Sequence, residues 1–304
     1  MVAAADTGLE KVMFENFESR RIAANGTEIN LRWAGDGPPL LLIHGYPQCH
    51  VMWHKIAPAL AETFTVVCPD VRGYGDSGKP PSDDSHRPYC KSEQARDLVE
   101  VMAALGHQKF HVAGHDRGGR VAYRLALDHP ERVTKLAVLD IVPTVEQYER
   151  MKVDGAQASF HWYFLAQPAP LPERLIGGDP EFFLRHVSNS WTKIDGCFDD
   201  AAMAEYIRCF TPEMIHATCE DYRAGYAIDR KLDAADRAAG RKIACPVLVL
   251  WGDRGRPDKP VSVLDIWKAW AEDVRGHGVP GGHFLTEESP AETLAALQAF
   301  FAGG

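Results

Sequence analysis

The chain has 304 residues, 45% of them hydrophobic and 25% charged, the balance of a globular protein with a large core and not of a disordered, fibrous or membrane one. Lysine plus arginine total 33 against 42 aspartate plus glutamate, a formal charge of −9. That is a poor footprint for nucleic acid or an anionic membrane, so any anionic substrate has to be held by local arginines. No apolar run approaches the roughly 18 residues of a membrane span, and the opening MVAAADTGLEK shows no basic leader followed by an apolar stretch. A cytoplasmic location is the expectation. Seven scattered cysteines (Cys49, Cys68, Cys90, Cys197, Cys209, Cys219 and Cys245) contain no C-x-x-C pair and read as free thiols.

In chain order, Leu40 to Ile43 and Thr65 to Cys68 are short apolar runs ending in turn residues, as buried parallel strands are. Between Ser92 and Leu105 the apolar residues Ala95, Leu98, Val99, Met102 and Leu105 follow a helical period, with Ser92 as N-cap and Gly106 as the stop. A strand from Phe110 to Ala113, a helix from about Arg117 to Asp128 and a strand from Lys135 to Leu139 come next. This β-α-β-α-β order predicts an α/β fold, a mostly parallel twisted sheet flanked by helices. The alternation stops after Asp140, and the stretch 146–234 is aromatic, polar and punctuated by Pro168, Pro170, Pro172 and Pro180. It resumes with a strand from Pro246 to Trp251, a helix around Leu264 to Trp270 and a last helix that Ser289, Pro290 and Glu292 open as a capping box. The expected organisation is one discontinuous core, 1–145 with 235–304, carrying a helical insert over 146–234.

The chemistry concentrates in Gly114-His115-Asp116-Arg117-Gly118-Gly119, where a strand has to turn abruptly into a helix. The spacing is that of a nucleophile elbow, G-x-Nu-x-G, with aspartate at the nucleophile position. Glycines on either side let the backbone bend tightly and push the central side chain into the open. The plain alternative is a glycine-rich loop with a capping aspartate. His44-Gly45-Tyr46-Pro47 follows the Leu40 to Ile43 strand, so the backbone N–H groups of Tyr46 and Arg117 are placed to form an oxyanion hole. Gly281-Gly282-His283 precedes the last helix, where chain order puts the base. The acid that orients it is Asp140, Asp253 or Asp258. Asp140 is favoured, because the W-G-x-x-D pattern counted from Trp251-Gly252 falls on Gly255. His50 and His54 are four apart, but Val51-Met52-Trp53 between them lacks the glutamate of a zincin motif, and no metal site is expected.

Together with Asp70-Val71-Arg72-Gly73-Tyr74-Gly75-Asp76-Ser77, these motifs resemble the α/β-hydrolase superfamily with an aspartate nucleophile, which includes haloalkane dehalogenases, epoxide hydrolases and haloacetate (fluoroacetate) dehalogenases. The resemblance covers nearly the whole chain and makes the 146–234 insert a helical cap domain. Haloalkane dehalogenases and many epoxide hydrolases carry Trp after the nucleophile. This chain has Arg117 and then Arg120, and His-Asp-Arg-Gly-Gly-Arg resembles the haloacetate dehalogenase signature. Two cations in the first turn of a helix oppose its macrodipole and call for an anion, either protein carboxylates or a substrate carboxylate gripped by the guanidinium forks. By resemblance, His161 and Trp162 with Tyr222 form the halide site and Trp191 a pocket wall.

The resemblance implies hydrolysis of a haloacetate to glycolate and halide. Asp116 would attack the halogen-bearing carbon, and His283 with Asp140 would drive water onto the resulting ester. No metal or organic cofactor is implied, and the expected partner is a second copy of the chain in a homodimer. The enzyme rival is an epoxide hydrolase that protonates its substrate with Tyr163, Tyr206, Tyr222 or Tyr226, which leaves both arginines without a task. The rival of another class is a non-catalytic ligand receptor on the same scaffold.

Overall fold

Parallel strands are buried on both faces, so their side chains read as continuous apolar runs. Every residue of Leu40 to Ile43 and of Thr65–Pro69 is buried, as that rule requires. The computed structural model describes residues 13–151, 153–254 and 262–303. Among these residues the strands are β1 (Glu18–Ala24), β2 (Thr27–Ala34), β3 (Pro39–Ile43), β4 (Thr65–Pro69), β5 (Phe110–His115), β6 (Val133–Leu139), β7 (Val247–Gly252) and β8 (Val274–Val279). They form one sheet in the order β1-β2-β4-β3-β5-β6-β7-β8. The β1–β2 hairpin is antiparallel and β2 runs antiparallel to β4; every pair from β4 to β8 is parallel.

On the first half of the sheet lie α1 (Ala57–Ala61), α2 (Lys91–Ala104) and α3 (Asp116–Asp128). Between β6 and β7 the regular elements are all helical: α4 (Thr144–Arg150), α5 (Val153–Ala158), α6 (His161–Phe164), α7 (Leu171–Gly177), α8 (Pro180–Trp191), α9 (Asp200–Cys209), α10 (Pro212–Ala224), a π-helical turn (Gly225–Asp229) and α11 (Arg230–Ala238). Pro172 and Pro180 sit in the first turns of α7 and α8, where the missing N–H costs nothing. Then come α12 (Val263–Lys268), α13 (Leu285–Glu288) and α14 (Pro290–Ala302). One buried apolar cluster runs from the sheet (Leu41, Val138, Val249) into the helical segment (Trp162, Leu184, Tyr222). No helix among the described residues is long and apolar enough to cross a membrane.

Three local expectations change. Helix α2 starts two residues early, with Cys90 at its N-cap, and the Ser92 hydroxyl instead donates to Asp128 Oδ2 at 2.8 Å, tying α2 to the end of α3. Ser289 does occupy the N-cap of α14 with Pro290 at its first position, but its hydroxyl donates to the Pro280 carbonyl and makes no capping bond. Strands β1, β2 and β8 are not among the expected ones: β1 and β8 carry few apolar residues, β8 being Val-Arg-Gly-His-Gly-Val, whereas β2 has Ile29, Leu31 and Trp33 in strand alternation and was legible. The seven cysteines are free, all buried except Cys245, which is partly so.

The strand order locates the functional crevice. The chain leaves β3 on one side to form β4 and then crosses to β5 on the other side of β3. Open parallel sheets bind ligands at such a switch point, outside the carboxyl ends of the strands. Tyr46 follows β3, Asp116 follows β5, Asp140 follows β6 and His283 follows β8, so the fold delivers all four side chains to that edge.

Candidate active site

Asp116 is the first residue of α3 and takes a left-handed backbone conformation, φ 47°, which aspartate tolerates better than most residues. A Cβ at Gly118 would run into the backbone oxygens of Ile43 and His44, so only glycine lets α3 start this close to β3. The Tyr46 N–H donates to Asp116 Oδ1 at 2.9 Å. Arg117 N–H lies in the first turn of α3, where backbone donors have no intrahelical acceptor. Burial pushes the Asp116 carboxyl up, but the attraction of His283 and of the Arg120 and Arg117 guanidinium groups more than offsets this and holds it below the ordinary aspartate value. It is a buried, ionised carboxylate.

His283 Nδ1 lies 2.7 Å from Asp140 Oδ2, and its Nε2 is 3.8 Å from Asp116 Oδ2. Asp140 also has a left-handed backbone (φ 51°) and accepts the Gly252 N–H at 3.3 Å. Of the other acids considered for this place, Asp253 accepts the Gly281 N–H, and Asp258 lies outside the described residues. The loop that carries His283 is clamped by a residue the sequence reading missed. The buried Glu288 carboxylate accepts the N–H groups of Gly282 (2.8 Å), Phe284 (2.9 Å) and Lys193 (2.7 Å). His283 N–H itself donates to the Trp191 carbonyl at 3.1 Å. Beneath it, His115 is held neutral, its pKa lowered to about 4 chiefly by burial, and its Nε2–H donates to the His283 carbonyl at 2.7 Å.

The two arginines differ in their surroundings. Arg117 is ion-paired with Asp221 of α10, Nε to Oδ2 at 2.8 Å and Nη2 to Oδ1 at 2.9 Å, so for this residue the protein-carboxylate alternative holds. Its Nη1 is buried without a partner among the described residues. Arg120 has no carboxylate partner among the described residues; Nη1 donates to the Val142 carbonyl at 2.7 Å, and Nε is buried and unpartnered. Aromatic faces support both guanidinium groups. Arg117 lies 4.2 Å from the Tyr222 ring centroid and Arg120 lies 4.4 Å from that of Trp162.

Tyr222, Trp162 and His161 meet edge-to-face around the same point, with His161–Tyr222 and Trp162–Tyr222 centroids each 5.8 Å apart. Trp191 closes one side, 4.4 Å from the His161 ring and 5.5 Å from His283. His161 Nδ1 and Tyr222 Oη are buried without partners among the described residues. Burial lowers the His161 pKa to about 3 and raises that of Tyr222 well above the ordinary phenol, so the first is neutral imidazole and the second a protonated donor. Buried polar atoms are nearly always hydrogen-bonded. Here Arg117 Nη1, Arg120 Nε, His161 Nδ1 and Tyr222 Oη are all orphaned beside one ionised carboxylate, a set of donors suited to an anion. Tyr148, not singled out from sequence, adds a further buried unpartnered hydroxyl, its ring edge-to-face on Trp162 at 5.1 Å.

The remaining candidates lie elsewhere. Tyr206 donates to Glu287 Oε1 at 2.6 Å, while Tyr163 and Tyr226 are 40% and 46% exposed, so of the four tyrosines considered as proton donors Tyr222 alone is buried and uncommitted at the site. His50 faces Asp70 and His54 faces Asp199, so the two share no ligand.

Residues 38–290 match the family model of the alpha/beta hydrolase fold. The chain is 44% identical over 291 residues to a fluoroacetate dehalogenase from Burkholderia sp, covering 95% of each sequence. It is 33% identical over 283 residues to a soluble epoxide hydrolase from Corynebacterium sp, covering 91% of this chain and 95% of the relative. A solved structure of a Nostoc protein described as an alpha/beta hydrolase superposes with a TM-score of 0.93 at 53% identity, covering 96% of this chain and all of that one.

Proposed function

The chain belongs to the α/β-hydrolase fold family, and from that premise we propose that it is a haloacetate dehalogenase, converting fluoroacetate or chloroacetate to glycolate and halide. The observation that carries this reading is the pair of buried arginines with uncommitted N–H groups beside Asp116. A haloacid brings a carboxylate to Arg117 Nη1 and Arg120, which aims its halogen-bearing carbon at the nucleophile. The 44% identity to a fluoroacetate dehalogenase points the same way.

In the first step Asp116 Oδ2 displaces the halide, the new C–O bond forming as the carbon–halogen bond breaks. The halide leaves with the bonding pair and is received by His161, Trp162 and Tyr222. Asp116 is then a carboxymethyl ester whose carbonyl oxygen, Oδ1, already accepts the Tyr46 N–H. In the second step His283 Nε2 takes a proton from water and the hydroxide adds to Cγ. The charge on Oδ1 is met by the Tyr46 and Arg117 N–H groups, and Asp140 stabilises the imidazolium through Nδ1–H. Collapse breaks the Cγ–Oδ2 bond, and the His283 imidazolium gives its proton to the departing Oδ2, which leaves as the hydroxyl of glycolate. The restored Asp116 carboxyl loses its proton to solvent. The helical stretch 146–234 serves as the cap, since it supplies His161, Trp162, Trp191, Asp221 and Tyr222 to the crevice.

The test is halide release by the purified protein from fluoroacetate, chloroacetate and a neutral 1-haloalkane, together with hydrolysis of a simple epoxide. The expected result is release from both haloacids, with kcat/KM for the haloalkane lower by roughly 10³-fold or more, because a neutral substrate leaves buried donors unpaired. Chloride release without fluoride would mean a halide site too loose for the smallest leaving group. Epoxide hydrolysis alone would favour the second reading, which the Corynebacterium relative and Tyr222 support. Binding of haloacids without turnover would make the protein a receptor.

We also infer a cytoplasmic homodimer. The large apolar side chains that stay most exposed, Val153 at 86%, Phe182 at 66% and Leu175 at 62%, all lie in the helical segment, and a second copy is the partner that would cover them. Light scattering on a Leu175→Glu/Phe182→Glu double variant should return the monomer mass where the parent gives a dimer. A parent that stays monomeric at every concentration would end this proposal.

A further inference from the structure

Arg117 is one member of a buried charge assembly. Its partner Asp221 also accepts from Tyr74 Oη at 2.8 Å on Oδ2, and from Gln94 Nε2 at 3.1 Å and Lys91 Nζ on Oδ1. The Asp221 backbone carbonyl takes a further bond from Arg117 Nη2 at 2.7 Å. Lys91, Arg117 and Asp221 are all within 2% of complete burial. The members come from different parts of the chain: Lys91 and Gln94 from the first turn of α2, Tyr74 from the 70–77 loop, Arg117 from the elbow and Asp221 from α10 in the helical segment.

Two features of this assembly bear on substrate choice. The donors Nε and Nη2 of Arg117 are committed to Asp221, which leaves Nη1 as the arm without a protein partner. Gly225 lies against the guanidinium, where a Cβ would come within 3.1 Å of Nη2 and 3.4 Å of Nη1, and the two bonds to Asp221 fix the orientation of the group. The second feature is charge. Arg117 with Asp221 alone would be a neutral pair and a weak magnet for an anion. Lys91 offsets the Asp221 charge, so the trio keeps one positive charge; the neighbouring Asp229 accepts the Lys91 N–H at 2.9 Å, and burial pushes its carboxyl up to about 7, toward the neutral form. Desolvation offsets most of what a buried ion pair contributes to stability, so stability is a poor reason to place a lysine here.

We propose that Lys91 is a specificity-determining positioning residue: without touching substrate, it neutralises Asp221 so that the fixed Nη1 arm of Arg117 presents a full positive charge to a substrate carboxylate. This rests on the haloacid reading of the site. Lys91 thereby sets the preference for anionic over neutral substrates and leaves the displacement at Asp116 alone.

The experiment compares the parent with Lys91→Met, using calorimetric binding of glycolate and of the uncharged isostere glycolamide, with kcat and KM for chloroacetate. In the variant Asp221 keeps Arg117, Gln94 and Tyr74 as donors, so the clamp stays assembled. Glycolate binding should weaken and the chloroacetate KM rise by about tenfold, as loss of one charge near the anion implies, while glycolamide binding and kcat hold. A Lys91→Met/Asp221→Asn double variant, which restores the charge balance, should regain part of the glycolate affinity. The inference is overturned if Lys91→Met binds glycolate like the parent, if it loses glycolate and glycolamide alike, or if the double variant is weaker than the single one. Failure of the haloacid reading would look different: the parent itself would neither bind glycolate nor release chloride.

Discussion

A His283→Asn variant exposed to chloroacetate should release one equivalent of chloride per site and then stop, with Asp116 left as a carboxymethyl ester. The two chemical steps make different demands. Displacement needs an ionised carboxylate and a held substrate, and although His283 is the largest of the influences that hold the Asp116 carboxyl down, Arg120 and Arg117 remain beside it in the variant. Hydrolysis of the ester needs a proton taken from water, and in this crevice the group placed to do so is His283, 3.8 Å from Asp116 and oriented by Asp140 at 2.7 Å. Asparagine keeps a polar group in the loop that Glu288 braces but cannot accept that proton. Steady turnover should therefore fall by roughly 10²- to 10⁴-fold, the range of a general base, with the burst preserved. Intact-mass and peptide spectra would show the ester on the fragment that contains Asp116. Near-normal turnover would remove His283 from the second step, and a missing burst would mean that it also serves the first.

Much of this architecture is readable from the chain because some positions admit few alternatives. Gly118 has to be glycine where α3 passes the carbonyls of Ile43 and His44, so the elbow advertises itself locally. His283 is identified by its Gly281-Gly282 loop before the last helix and Asp140 by its place at the end of β6, and the structure brings His283 Nδ1 to Asp140 at 2.7 Å. The parts that stayed hidden are contacts between distant segments with no periodic signal. Arg117 and Asp221 are 104 positions apart, and Lys91 is 130 from Asp221. Each is an ordinary charged residue on its own helix, and nothing in its neighbours says that it is buried. Glu288 is similar, since its partners are backbone N–H groups that no side-chain pattern encodes. Ser92 and Ser289 are instructive failures of local rules. Both have capping chemistry in the right place, and in both a tertiary acceptor, Asp128 or the Pro280 carbonyl, takes the hydroxyl instead.

The largest effect of all is expected at Asp116, and the origin of the product oxygen tests its role more sharply than loss of activity does. Alanine at this position would carry the strain of a left-handed backbone, φ 47°, and so mix a folding defect with a chemical one. Asp116→Asn keeps the shape and tolerates the same backbone; it should abolish halide release, a loss of roughly 10⁴-fold or more, while calorimetry still registers glycolate. The parent enzyme should then be given less than one equivalent of chloroacetate in heavy-oxygen water. If Oδ2 attacks carbon and water attacks Cγ, the hydroxyl of the first glycolate comes from Asp116 and is unlabelled, while the aspartate gains one heavy oxygen. Excess substrate should drive the label into glycolate, because each later turnover passes on the oxygen its predecessor left behind. Labelled glycolate in the first turnover would mean that water attacks the substrate directly, with Asp116 as its base. Tyr46 N–H on Oδ1 at 2.9 Å stands where an ester carbonyl would find its oxyanion donor, which supports the first outcome.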